Sequence, residues 1–475
     1  SANFRTGYSQ NSGESNLFSG LNYYSASTLS DTLNQNSTLS GNGWNISTSV
    51  RYTEPLAELG MLQLNYSFSP QWNVSDKETY NFLKETGQYS LQDSALSNSF
   101  DNIYFAHEVG TGLMIRKEKL MIMARVSGQW SVLDNEQFFP YPDQIDRNFF
   151  NVLPFVMIRY GSSRQQSIRF MYRTNTSPPS VSQLQEVINN TNPLQLSSGN
   201  QDLDQNYQHS ISLRYNKTNT EKSSVFFFLI SGTITQNYVA NSTTIASRDM
   251  VLENGVVLPR GSQFTQPVNM NGYWQARSFL TYGVPIKAIK SNININLSAN
   301  YGQTPGLING ERTETTNGTA GVGIVLSSNI SKNVDFTVSS RSNFSQGINS
   351  LRPALNTNYF NQQSSVKLNL TFLKGIVFRT DLTNQTYRGL SDGFNQDFWL
   401  WNMGLAKKLF KNQRGEIQLS VFDALMQNNS ITRNVTETYI EDLKTVVLQR
   451  YLMATFTYNI RNFKAEESKG GRGKR

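Results

Sequence analysis

The sequence predicts an all-β protein, namely a large antiparallel transmembrane β-barrel with short periplasmic turns and long extracellular loops. The first observation is a strict alternation of polar and apolar residues over 292–301, which is about the length of one membrane-crossing strand. Successive side chains of a strand point to opposite faces, so this segment has one apolar and one polar face. The second observation is that the pattern recurs. The third is that brief and extended connections alternate along the chain.

The composition excludes several other classes. Of 475 residues only 16% are charged and 37% hydrophobic, while 12% are aromatic, and amides and hydroxyls occupy the remainder. The longest apolar stretch, 225–230, is much too short for a transmembrane helix, which needs about 20 residues. There is no cysteine, which rules out disulfides, thiolate nucleophiles and cysteine-based metal sites. A mean hydropathy of -0.45 is compatible with a barrel, because only alternate residues meet lipid.

Further alternating segments predict strands along the whole chain, at 62–69, 120–130, 168–173, 210–215, 365–372 and 452–461. Brief connections such as 116–119 and 287–290 alternate with long polar stretches such as 77–97, 134–146, 240–270 and 303–315. Counting back from the last strand predicts about 19 strands in this chain. A barrel with a plugged lumen has roughly 22, so about three strands would be needed to complete it. The first strand would cover 3–9 and end in a turn at 11–15. An odd total would mean that N-terminal strands are missing, because bacterial single-chain barrels have even counts.

Aromatic residues concentrate where the predicted strands meet their connections. Girdles at both membrane–water interfaces produce such a distribution, whereas a soluble sandwich gives no reason for it. The outer set is Trp44, Trp72, Trp130, Trp274, Tyr301, Trp399 and Trp401, and the inner set is Tyr52, Tyr160, Tyr215, Tyr282 and Tyr458.

The stretch 172–207 resembles a signature of TonB-dependent receptors. In that family a strand ends near a Pro-Ser motif, and Gly-Asn-Pro-x-Leu-x-Pro-Glu begins the next strand. Here Gly199, Asn200 and Leu203 match, while both prolines and the glutamate are replaced. Segments 51–56, 76–80, 96–102 and 421–428 are also similar to the outer membrane β-barrel branch of these receptors, so the resemblance extends to Phe463.

The resemblance implies a plug domain inside the barrel and a TonB-binding segment before it, neither of which is visible in this sequence. We therefore expect 1–463 to be a barrel domain that lacks its plug and its first strands, followed by a polar, basic tail at 464–475. Without the element that TonB pulls, this chain alone would not perform TonB-driven import. The implied partners are outer-membrane lipid, the plug, TonB and a small-molecule or oligomeric nutrient. A surface lipoprotein could also associate, and no nucleic-acid partner is expected.

Catalytic, cofactor and metal sites are not expected. His107 and His209 are the only histidines, and no carboxylate is spaced so as to form a metal site or a catalytic dyad with them. Neither a nucleophile elbow nor a phosphate-binding glycine loop is present. An interfacial or lumenal position is the expected role of both histidines.

Ten arginines share the polar phase of their predicted strands. They could hold a plug, steer an anionic substrate or simply form a solvated wall, and the sequence leaves these three alternatives open. The set is Arg51, Arg125, Arg159, Arg169, Arg173, Arg214, Arg277, Arg341, Arg379 and Arg461.

Two extracellular segments are candidates for ligand contact. One is the aromatic loop with Phe138, Phe139 and Tyr141, and the other is the long stretch 240–270. Aromatic loop residues suit sugars or chelates, but they also serve to pack loops together.

The expected function is that of the barrel of a TonB-dependent outer-membrane receptor that takes up a scarce nutrient: a siderophore, vitamin, oligosaccharide or peptide. The alternatives are a passive porin, a barrel-anchored adhesin, and a secreted soluble β-rich adhesin. The expected location is the outer membrane of a Gram-negative cell.

Overall fold

The computed structural model describes residues 1–22, 30–56, 60–163, 165–192, 194–252, 255–328, 330–331, 333–373, 375–410, 413–435, 438, 440–445 and 447–460. The tail expected at 464–475 and Arg461 lie outside these residues. No helix within the described ranges is long and apolar enough to cross a membrane.

Strands dominate the described chain. Three short helical turns accompany them, at Val181–Leu184 (α1), Lys287–Ile289 and Pro353–Leu355. The strands are β1 (Ala2–Asn22), β2 (Ser30–Pro55), β3 (Met61–Leu83), β4 (Gln88–Gln92), β5 (Asn98–Lys117), β6 (Leu120–Phe139), β7 (Asp143–Ser163), β8 (Gln166–Ser177), β9 (Gln195–Ser197), β10 (Asn206–Asn219), β11 (Ser224–Gln236), β12 (Tyr238–Ile245), β13 (Met250–Val251), β14 (Val257–Leu258), β15 (Gln263–Met270), β16 (Tyr273–Ile286), β17 (Ser291–Ile308), β18 (Glu311–Ser328), β19 (Val334–Asn349), β20 (Thr357–Phe372), β21 (Ile376–Arg388), β22 (Gln396–Leu409), β23 (Gly415–Phe422), β24 (Ser430–Val435), β25 (Ile440–Thr445) and β26 (Tyr451–Tyr458).

One continuous antiparallel ladder forms the wall of the barrel. Its order is β1-β2-β3-β5-β6-β7-β8-β10-β11-β16-β17-β18-β19-β20-β21-β22-β23-β26, which is eighteen strands joined by seventeen pairings. Each strand pairs with the next long strand in sequence, as in an up-and-down barrel. Within the described pairings, β1 and β26 are each bonded on one side only.

The predicted end of the first strand is wrong. β1 continues through 11–15, where Asn11 pairs with Gly41 and Ser15 with Ser37 of β2. Asn, Ser and Gly favour turns locally, but ladder hydrogen bonds join backbone groups, so an extended partner overrides that preference. Among the described residues the ladder therefore has an even number of strands, so the strand count does not support the expectation of missing strands. What precedes Ser1 remains a prediction from the resemblance.

The two faces of the wall differ as the alternation predicts. On β17, Ile295 and Leu297 are exposed on the outer face, opposite Ile324 and Val322 of β18. Small polar side chains such as Ser365 are buried on the inner face. A face that is both apolar and uncovered is suited to lipid, so the inner face is the polar lumen.

Several polar stretches expected to be loops are strand instead. β17 and β18 pair as far as Ile308 and Glu311, so the predicted loop 303–315 is a tall hairpin with a tight turn. Likewise β6 and β7 pair through most of 134–146. These strands exceed the 9–11 residues or so that cross a bilayer, and the excess projects beyond the membrane at what we call the outer end.

The long connections at the outer end form a small apolar core of their own. Leu96, Ile188, Leu196, Ala246 and Leu258 make one buried cluster. A second cluster joins this layer to the barrel wall and contains Tyr104, Ala106, Leu133, Leu184 and Leu203. The connection 178–205 between β8 and β10 contributes to both clusters, so it folds inward against the lumen wall.

Candidate functional site: a cavity beneath the β8–β10 loop

A cavity of about 1050 Å³, here named the loop cavity, lies between the lumen wall and the loop 178–199. This volume is at the upper end of the usual range for small-ligand pockets, about 300–1,000 Å³. Its wall is a grid of four cross-strand pairs on β3 and β5: Gln71 with Tyr104, Asn73 with Asn102, Ser75 with Phe100, and Lys77 with Asn98. The loop side is formed by hydroxyl, amide and proline side chains, among them Pro178, Ser180 and Gln185.

The loop cavity presents hydrogen-bond donors that have no acceptor. Asn102 is only 4% exposed, and its Nδ2 has no hydrogen-bond partner among the described residues. The Nε2 of Gln185, on the opposite side of the cavity, is likewise buried without a partner there. An amide N–H that is buried and unbonded costs about 1–3 kcal/mol. Both residues line the cavity, although the side-chain oxygen of Asn135, which lies opposite Asn102 on β6, is also without a described partner.

Lys77 is the one charged residue that lines the loop cavity in the described chain. It is half-buried and forms no salt bridge with a described residue. Lys77 lies in the part of β3 that projects beyond the membrane. Burial lowers the pKa of its ammonium, and the charge of Asp93 partly opposes this. The cavity therefore combines a cation with neutral donors and lacks a lining carboxylate.

The family-like signature holds the loop in place. Gly199 packs so closely on the preceding turn that a Cβ would lie 2.3 Å from the carbonyl oxygen of Gln185. Leu203 is buried in the second cluster, and the Nε2 of Gln205 donates to the Tyr104 hydroxyl at 3.3 Å. The match at Gly199 and Leu203 thus has a structural cause, since both residues fix the roof of the cavity.

Deeper in the lumen, arginines stand in a row across three strands. Arg159 of β7 is directly opposite Arg169 of β8, which is directly opposite Arg214 of β10. None of the three forms a salt bridge with a described residue, although Arg214 lies 5.0 Å from the Phe227 ring. Like charges placed directly opposite destabilise a sheet, so this row favours an anionic neighbour in the lumen.

All nine arginines of the predicted set other than Arg461 lie on the polar, lumen-facing phase of their strands. Arg379 shows that some of this wall is internally neutralised: its guanidinium donates two hydrogen bonds to Glu416, at 2.8 and 3.0 Å. Arg277 instead donates to the Ser231 hydroxyl at 3.0 Å.

The aromatic loop candidates lie away from the loop cavity. Phe138 and Phe139 end β6, and Tyr141 lies in the turn to β7, held by a hydrogen bond from Gln137 Nε2 to its carbonyl oxygen at 3.1 Å. None of the three lines the loop cavity. The stretch 240–270 packs behind the loop, through Ala246 and Leu258, instead of lining the cavity. Ligand contact by these residues remains a prediction.

Both histidines lie on the outer face, within aromatic clusters. The ring of His107 stacks on Phe68 at 4.5 Å, and its Nδ1 is 2.9 Å from the Tyr66 hydroxyl. His209 repeats the arrangement with the Tyr172 hydroxyl at 2.9 Å. Of the two expected positions, the lumenal one is therefore excluded, and the interfacial one remains a prediction.

Most of the aromatic residues predicted to form girdles are exposed side chains of the wall, and the girdles themselves remain a prediction. Trp44 pairs with Trp72 across β2 and β3, and Trp274 lies 5.5 Å from Tyr301. At the inner ends Tyr160 is exposed on the outer face.

The sequence analysis does not predict Lys77, Asn102 or Gln185 as site residues. For Lys77 the sequence does contain an indication, because it is the one charged residue among the lumen-facing positions of β3 from Gln63 to Lys77. The orphaned amides of Asn102 and Gln185 could not be found this way, since they depend on how the loop folds.

A wall that is apolar outside and polar inside, with loops folded inward at one end, defines an outer-membrane β-barrel. A family model described as "Outer membrane protein beta-barrel family" matches residues 133–458, and the chain belongs to this family. The protein is accordingly located in the outer membrane. Among solved structures the chain is similar to "Copper transporter OprC", with a TM-score of 0.43 and 9% identity over 96% of this chain and 80% of that one. None of the curated proteins matches it.

Proposed function

We propose that this chain is the barrel of a TonB-dependent outer-membrane receptor that takes up a scarce nutrient. The observation that carries the proposal is the loop cavity, because a dedicated, partly enclosed site with unsatisfied donors suits capture of a dilute ligand. A passive pore needs no such site. The TonB-receptor resemblance of 172–207 supports the same reading, since that segment forms the roof of the cavity.

In this proposal the outer loops capture the nutrient and a plug domain, moved by TonB, opens the path through the lumen. The arginine row at Arg159, Arg169 and Arg214 offers an anionic surface of the plug, or an anionic cargo, a place to bind. A surface lipoprotein could cover the outer end. No step requires bond-making chemistry, a cofactor or a nucleic acid, and the protein acts as a transporter and not as an enzyme.

Uptake by intact cells tests this proposal. Cells with and without the gene are given radiolabelled nutrients from each class, namely ferric siderophores, vitamins, oligosaccharides and peptides. A receptor gives saturable uptake of one class, which is lost on deletion of the gene, on deletion of TonB and on addition of a protonophore. Uptake that rises linearly with concentration and survives the protonophore would instead indicate a porin, and unchanged uptake with altered surface adhesion would indicate an adhesin.

A further inference from the structure

The loop cavity carries an inference about the chemistry of its ligand, which rests on the proposed function. Three hydrogen-bond donors border it: the Asn102 and Gln185 amides, which have no hydrogen-bond partner among the described residues, and the Lys77 ammonium, whose charge Asp93 balances in part. All three donate hydrogen bonds. A ligand that satisfies them must be rich in oxygen acceptors and must carry negative charge near Lys77.

The remaining lining residues indicate a hydroxyl-rich molecule. Asn73, Asn98 and Ser75 offer amides and a hydroxyl, which both donate and accept. Phe100 and Tyr104 also belong to this wall but are almost fully buried, so the polar side chains present most of its hydrogen-bonding groups. Amides bind hydroxyls both as donors and as acceptors, whereas a hydrophobic vitamin would leave the amides unbonded.

The charge of the lumen agrees with an acidic cargo. Arg173 lies four residues before Ser177, which lines the cavity, or about 13 Å lower on β8 at roughly 3.3 Å per residue. The row at Arg159, Arg169 and Arg214 lies lower still. Cationic side chains thus continue from the cavity into the lumen.

We propose that the loop cavity binds an acidic oligosaccharide, with its carboxylate or sulfate at Lys77 and its hydroxyls at Asn102 and Gln185. The volume of about 1050 Å³ accommodates a ligand of a few sugar units. Neutral sugars bind the same amides more weakly because they leave the Lys77 charge balanced only in part, by Asp93.

A glycan array tests the proposal. Detergent-purified protein is applied to uronic-acid, sialylated, sulfated and neutral oligosaccharides, and the tightest ligand is then titrated by calorimetry. We expect an acidic glycan to bind best. Lys77→Gln and Asn102→Asp should each weaken it at least tenfold, and Lys77→Arg should retain most of the affinity.

Two control variants isolate the cavity. Lys84→Gln removes the same charge from the exposed end of the same hairpin, and Asn343→Leu removes a lumen amide from a separate cavity. Both should bind within twofold of the unmodified chain. Heat-modifiable migration on gels verifies that every variant is folded.

Binding of no acidic glycan, or binding that Lys77→Gln and Asn102→Asp leave unchanged, would overturn the inference. Energy-dependent uptake of a non-carbohydrate nutrient that is insensitive to Lys77→Gln would also overturn it, but would support the proposed function. Conversely, Lys77-dependent glycan binding without energy-dependent uptake would support the inference and contradict the proposed function as a TonB-dependent receptor.

Discussion

Arg433 of β24 and Asp442 of β25 form a doubly bonded ion pair at the outer end of the barrel. Nε and Nη2 of the guanidinium donate to the two carboxylate oxygens at 2.6 Å each, and the side chains are only 5% and 2% exposed. Arg433 Nη1 also donates to Thr357 Oγ1 at 2.7 Å and to the carbonyl oxygen of Gly389 at 2.9 Å. The backbone N–H of Ser391 donates to Asp442 at 2.9 Å. This pair therefore fastens the β24–β25 hairpin to the strands beneath it.

Breaking this pair should release the hairpin. Arg433→Met or Asp442→Leu leaves one buried charge without its partner, which costs about 3–5 kcal/mol. The double variant should cost less, because no charge is then stranded. Hydrogen exchange of the amides in 430–434 measures hairpin opening.

The exposed pair Arg388–Asp397 is the matched control. Its atoms are 3.6 Å apart and its side chains are about half exposed, so Arg388→Met should cost less than about 1 kcal/mol. Equal effects of Arg433→Met and Arg388→Met would contradict the role assigned to burial.

Hairpin docking should depend on pH. The Arg433 guanidinium, helped by Ser391, holds the pKa of Asp442 well below its ordinary value, although burial opposes this. A carboxyl whose folded-state pKa is depressed stabilises fully above the unfolded value, near 4, and this contribution is lost as pH falls towards the folded value. Exchange in 430–434, corrected for intrinsic rates, should thus be constant from pH 8 to about 5 and rise below about 4. If Asp442→Asn showed the same acid-induced rise, another group would be responsible.

The arginine row should be electrostatically strained in the isolated chain. Arg169→Gln removes the central charge between Arg159 and Arg214, so we expect a gain of roughly 0.5 kcal/mol in unfolding free energy at low salt. The gain should shrink in high salt, because these exposed charges are screened. Urea unfolding in about 0.01 M and 0.5 M salt measures both values.

Arg277→Gln serves as the control for the arginine row, since Arg277 is bonded to Ser231 and lacks an opposed arginine. It should not be stabilising at either salt concentration. A salt-independent loss of stability in Arg169→Gln would show that the row is not strained.

A charge on the outer face should be far more costly than one in the lumen. Ile295→Arg places a guanidinium in hydrocarbon, at about 2–4 kcal/mol near the midplane. Asn296→Arg, one residue along, points into the lumen and should cost much less. Unfolding in lipid vesicles compares the two, and similar losses would contradict the assignment of faces.

The alternation identified the wall and its two faces because a two-residue period is a local property of the sequence. It failed at strand ends. The polar stretch around Thr304 and Thr315 predicts a loop, yet these two residues pair across β17 and β18. Above the membrane both faces of a strand meet water, so alternation disappears while the ladder continues.

The loop cavity lay beyond what the sequence could reveal for a different reason. Its roof depends on contacts between distant segments, such as Gln205 with Tyr104, which are 101 residues apart, and the Ile188 N–H with the Ala95 carbonyl. Within its own segment, each of these residues looks like any other polar or apolar residue. Asn102 and Lys77 become part of a site only through the pairing register of β3 with β5, which places them on the same wall.

The most direct measurement concerns which side chains touch lipid. The chain has no cysteine, so single cysteines can be placed at each position from 292 to 301 of β17 and labelled with a nitroxide in lipid vesicles. Collisions with oxygen, which concentrates in hydrocarbon, should peak at 293, 295, 297 and 299 and fall at the positions between. A flat profile, or peaks at the even-numbered positions, would show that bilayer lipid does not meet this face.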